Sequence, residues 1–106
     1  MNKLLDQVRE AVISEHNRAA QLHGPAHASH HEAYAVILEE YCEAKDAKNA
    51  FMDCFQTYWD GVRHDNVSRC NIANMQHYAM QAAAEWVQVA AMCKKAVAKK
   101  VNSDDT

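Results

Sequence analysis

The chain has 106 residues, 49% of them apolar, with only two glycines and one proline. That length fits a single domain, and a composition rich in alanine and poor in β-branched residues points to an all-α fold. A net charge of −3 argues against a general nucleic-acid binder, which needs a basic face. No apolar run is long enough to span a bilayer, and nothing at the N-terminus resembles a signal peptide. Cys42, Cys54, Cys70 and Cys93 form no CxxC pair and no zinc spacing. They read as free thiols, and the expected setting is a reducing cytoplasm with no membrane partner.

The first helix is predicted from Asn2 to Leu22. Its apolar seam is Leu5, Val8, Val12, Ala19 and Leu22, with Glu15 in the gap. Gly24-Pro25 ends it, because glycine suits the position after a helix and proline cannot continue one. Ser29 opens the second helix as a capping box with Glu32. No breaker follows until Asp60-Gly61, so this helix runs for about thirty residues, weakest around Asp46 to Asn49 where polar residues crowd. Its seam is Ala33, Ile37, Ala44, Ala47 and Phe51. Glu40 fills the remaining slot, and Glu43 borders the seam one turn on. The far end is aromatic (Phe51, Phe55, Tyr58, Trp59), as a core or a subunit interface would be.

The third helix is predicted from an N-cap at Asp65 to about Lys99. Its seam reads Tyr78, Ala82, Glu85, Val89, Met92 and Ala96, with a glutamate again at its centre. Lys94, Lys95, Lys99 and Lys100 read as a solvated basic end that suits the helix dipole. The seven histidines read singly as surface or capping residues. Residues 1–100 form one helical domain, and 101–106 a disordered tail.

A turn near residues 62 and 63 makes helices two and three an antiparallel hairpin. Glu40 then lies level with Glu85, with Glu43 close by and Gln88 level with Ile37. Three carboxylates converging in a partly apolar cleft repel one another and do not all stay ionised. A hard divalent cation removes the conflict, and oxygen-only ligands favour Mg²⁺ or Mn²⁺ over zinc. The plainer alternative is that these glutamates pair with lysines or face water at a splayed end. A di-iron centre needs Glu-x-x-His on two helices, but the third residue after Glu40 is Glu43 and after Glu85 is Gln88. Helices of this length, about 45 Å end to end, leave apolar faces uncovered in a monomer. A bundle completed by a homodimer or homotetramer is expected.

Glu39-Glu40-Tyr41-Cys42-Glu43, followed by Glu85-Trp86-Val87-Gln88, resembles the EExxE and ExxD signature of the MazG-like nucleoside triphosphate pyrophosphohydrolases, the all-α NTP-PPase superfamily. The phrase from His31 to Glu40 is similar to a small, largely phage-associated branch of that family. The resemblance covers residues 29–97. It implies hydrolysis of a nucleoside triphosphate to the monophosphate and pyrophosphate, with Mg²⁺ bridging the phosphates to Glu40, Glu43 and Glu85. Glu39 and Glu40 are the implied catalytic pair. Glu39, a quarter turn off the seam, could hold a second ion, polarise the water or stand solvated. Substrate contacts fall to Lys48 for a phosphate, to Glu15 for a base edge or for support of the site, and to Gln88. Gln88 stands where the family carries aspartate, as a weakened ligand or as a substrate contact. The stretch between the half-motifs is longer than the family's. The competing reading is a helical module that binds nucleotide or another protein without turnover. No residue pattern identifies the base.

Overall fold

The computed structural model describes residues 2–98, so Lys99, Lys100 and the predicted 101–106 tail lie outside the described residues. The helices are α1 (Asn2–His23), α2 (His30–Arg63) and α3 (Arg69–Ala98), and no strand occurs among the described residues. The fold is all-α, as composition and periodicity predict. Among the described residues no helix is long and apolar enough to cross a membrane.

The helix ends follow local chemistry. Gly24 adopts φ 90°, and its N–H donates to the Ala20 carbonyl at 2.9 Å, which closes α1. Ser29 is extended, and its Oγ accepts from the Glu32 N–H at 3.1 Å. The Glu32 carboxylate accepts in turn from the Ala28 N–H, one residue further back than in the usual capping box. α2 then runs unbroken for 34 residues, through the polar stretch at Asp46 to Asn49, where Ala44 and Ala47 are buried.

The turn departs from the sequence reading. Asp60-Gly61 does not break α2, which continues to Arg63, and the turn occupies residues 64–68. Gly61 is needed there because the returning chain passes over it. The Asn66 N–H donates to the Gly61 carbonyl at 2.8 Å, and a Cβ at Gly61 would stand 2.6 Å from the Asn66 carbonyl oxygen. Asp65 is not an N-cap. It lies in the turn at φ 56°, and α3 is capped instead by Ser68, whose Oγ accepts from the Asn71 N–H at 3.2 Å. Asn71 then ties the helices together by donating from its side chain to the Cys54 carbonyl at 2.9 Å.

α2 and α3 pack on the predicted seams. Ala33, Ala44 and Ala47 are buried from α2, and Val89 and Met92 from α3, while Ala91, off the predicted seam, is buried in the cluster with Ala19. Small residues let the backbones approach closely. The predicted register holds to within a residue or two, with Tyr41 and Trp86 edge-on at 5.9 Å between ring centroids. α1 lies along α3, where Ala19 joins Ala91 and Met92, flanked by Val12, Val36 and Ile37. Leu5, Val8 and Leu22, predicted on the α1 seam, are exposed, Leu22 by 63%. α1 meets α3 without approaching the α2 backbone, so only its central part is covered.

The described groups that α1 shares with the hairpin lie at its open end, away from the 64–68 turn. Towards the turn, Met52, Phe55, Trp59 and Val62 are exposed, and the Phe51 and Phe55 rings stack at 5.6 Å. The molecule measures 61 × 29 × 23 Å with a radius of gyration of 17.8 Å. A compact chain of this length has a radius of about 13 Å.

Candidate metal centre

α2 places Glu40 and Glu43 one turn apart, and α3 brings Glu85 across from them. One carboxylate oxygen from each lies within 4.8 Å of the others. Glu40 and Glu85 are partly buried, and Glu43 is exposed. Burial pushes the Glu40 carboxyl above its ordinary pKa, and repulsion from Glu43, Glu85 and Glu39 pushes it further. The Glu85 carboxyl is raised by burial first, then by the charge of Glu43 and by a hydrogen bond with it. Burial and like charge thus favour the protonated form of Glu40 and of Glu85.

Two clefts open beside the cluster. One is lined by Glu43, Asp46, Tyr78, Gln81 and Glu85, together with the small side chains of Ala47 and Ala50. The other, of about 320 Å³, is lined by Arg18, Glu40, Glu43, Ala84, Glu85 and Gln88. A hard divalent cation suits this donor set, which is all oxygen, is gathered from two rigid helices and leaves room for water or phosphate oxygens.

The other predicted site residues divide. Glu39 is exposed and lines a third cleft beside Glu40. Gln88 lines the cleft beside the three carboxylates, and its amide nitrogen donates to Glu15 Oε1 at 2.6 Å. Glu15 also accepts from Arg18, at 2.9 Å from Nη2 and 3.1 Å from Nε. The Arg18 hydrogen bond, then that of Gln88, holds the Glu15 carboxyl below its ordinary pKa. Glu15 thus braces Gln88 and Arg18 at the edge of the site. Lys48 is exposed and lines neither of the clefts that flank the carboxylates.

Three residues beside the site escaped the sequence reading. Arg18 lines the second and third clefts, and its spacing of three from Glu15 was the available signal. His27 is not a surface residue: it is 4% exposed, and its Nε2 donates to the Met92 carbonyl at 3.5 Å. Its Nδ1 lies 3.9 Å from the Glu32 carboxylate. Lys95 is not part of a solvated basic end. It is only 6% exposed, three residues beyond Met92 on the inward face of α3, and shares the third cleft with His23 and His27.

Comparison with protein families, with curated proteins and with solved structures returns no match.

Proposed function

We propose that this chain is a Mg²⁺-dependent nucleoside triphosphate pyrophosphohydrolase of the MazG-like all-α type, with Mn²⁺ as an alternative ion. The observation that carries the reading is the gathering of Glu40, Glu43 and Glu85 within 4.8 Å, with two of the three carboxyls pushed up. These residues would hold the ion. When bound, it offsets phosphate charge and orients the attacking water. Water adds at the α-phosphorus, the bond to the bridging oxygen breaks, and pyrophosphate leaves with the electron pair. In this reading Glu39, exposed beside Glu40, would take the proton of that water. Arg18, which lines both the third cleft and the one beside the three carboxylates, would offer its guanidinium to a phosphate oxygen.

The competing reading is a MazG-like module without turnover. It is favoured by one observation: Gln88, at the position of the family's aspartate, is committed to Glu15. Pyrophosphate release from a panel of ribo- and deoxynucleoside triphosphates, with and without Mg²⁺, separates the two. Metal-dependent release supports the enzyme, and nucleotide binding without release supports the module. The same reading includes a homodimer or homotetramer that covers the exposed Phe55 and Trp59 end. Light scattering that finds a folded monomer at micromolar concentration would overturn that part.

A further inference from the structure

We propose that the third cleft is a nucleobase pocket in which Lys95 reads a keto edge, so that the substrates are nucleotides of uracil, thymine or guanine. This rests on the nucleotide reading above. The cleft has a volume of about 360 Å³ and shares Arg18, Glu40 and Gln88 with the cleft beside the carboxylates, so one ligand can span both. Its apolar lining comes from Ala19, Val36 and Met92. A pocket with apolar walls and a few convergent polar groups is the usual form of a small-molecule site.

The polar group that needs a partner is Lys95. It is nine-tenths buried, lines the cleft, and among the described residues makes no hydrogen bond or ion pair. Its buried stem holds the ammonium in the cleft, where no protein acceptor competes with a ligand for its three donors. Lys95 follows Glu85 by ten residues, about 15 Å along the helix, and a helical side chain reaches back towards the N-terminus. That leaves the span of a nucleoside between the ammonium and the carboxylates. Glu32 and Glu39 line the same cleft beside Arg18 and Lys95, so its walls carry both signs and do not single out a phosphate. A neutral base suits walls of mixed sign. An ammonium has three donors and no acceptor. It pairs with O4 of uracil or thymine and with O6 of guanine, and it clashes with the amino groups of cytosine and adenine.

The test uses the full chain and isothermal titration with nucleoside monophosphates. UMP and CMP differ at the base only in the reading edge, as do GMP and AMP apart from the guanine 2-amino group. UMP should bind about tenfold tighter than CMP, and GMP tighter than AMP. Lys95→Met should bring the UMP-to-CMP ratio near one, and Lys95→Arg should retain it. Circular-dichroism melts check that both variants fold; should Lys95→Met not fold, the ratios of the parent and of Lys95→Arg decide. Ratios near one in the parent, a Lys95→Met variant that keeps them, or no monophosphate binding at millimolar concentration would each overturn the proposal. So would a loss of ribose 5-phosphate affinity in Lys95→Met as large as the loss for UMP, since Lys95 would then be a phosphate ligand. Glu43→Gln, at a carboxylate that does not line the third cleft, separates this proposal from the enzymatic one. It should remove the Mg²⁺ response and leave the base preference in place.

Discussion

Glu40→Gln removes one of three crowded charges while keeping the side chain's size. Two unit charges 4.8 Å apart repel by about 1 kcal/mol at the dielectric of water and about 3 kcal/mol at an effective value near 20. The cluster opens to clefts on both flanks, so the lower figure applies. The metal-free variant should therefore be about 1 kcal/mol more stable than the parent, raising Tm by about 4–8 °C. Mg²⁺ should reverse the order. At about tenfold above its dissociation constant, an ion that binds only the folded parent adds about 1.4 kcal/mol by mass action. That is a rise of about 5–10 °C for a domain of this size. Thermal melts followed by circular dichroism, in chelator and then in millimolar Mg²⁺ or Mn²⁺, read both effects. The reasoning is refuted if the parent shows no thermal response to either ion, with or without nucleotide. It is refuted equally if Glu40→Gln keeps the response or full turnover.

Three further outcomes follow from the same contacts. Glu40 and Glu85 have raised folded pKa values, so between the ordinary carboxylate value and those values the folded chain holds protons that the unfolded chain has lost. Stability of the metal-free protein should fall as pH rises through that window, and urea midpoints from about pH 4 to 8 should fall less in Glu40→Gln; identical slopes would show that Glu40 is not raised. Glu15 acts with the opposite sign, losing its stabilising contribution as pH falls. Gln88→Asp sets a carboxylate against Glu15 in place of a donor and should destabilise by about 1–2 kcal/mol in urea titrations, with Mg²⁺ affinity unchanged; tighter Mg²⁺ binding would show that position 88 reaches the cluster. Gly61→Ala should gain about 1 kcal/mol of helix propensity and still lose about 1–3 kcal/mol net, because its methyl meets the Asn66 carbonyl, and a neutral or stabilised variant would contradict that contact.

Much of the hairpin was legible because it depends on short-range periodicity. The steps from Ala33 to Phe51 and from Tyr78 to Ala96 fix which faces meet, and Glu40 and Glu85 stand out only as exceptions to that pattern. The turn was misplaced because Gly61 reads as a breaker, whereas its role is set by Asn66, five residues later, crossing above it. Asp65 and Ser68 are both reasonable N-caps by residue type, and backbone conformation alone chooses between them. Lys95 was misread for a related reason. A lysine near a helix end is ordinarily solvated, and its burial depends on the cleft that the loop carrying His27 and the end of α1 form around it. Gln88 was placed near the carboxylates, but its bond to Glu15 depends on the path of α1, which the hairpin pattern does not encode.

In the proposed reading the three glutamates take a cation rather than a proton as their partner. Packing alone would be better served by leucine at positions 40 and 85, since a buried charge weakens a seam that an apolar side chain of similar size would fill. The neighbours Ala44 and Ala47 are small and buried, which clears space beside the carboxylates. A proton relieves one carboxylate at a time. On Glu85 it leaves Glu40 facing the charge that remains, with its own carboxyl still pushed up. A divalent cation between the three oxygens relieves all the repulsions at once and competes with the proton for the same sites. Metal binding should therefore release protons and strengthen as pH rises through the raised carboxyl values, opposite in direction to the stability of the metal-free chain.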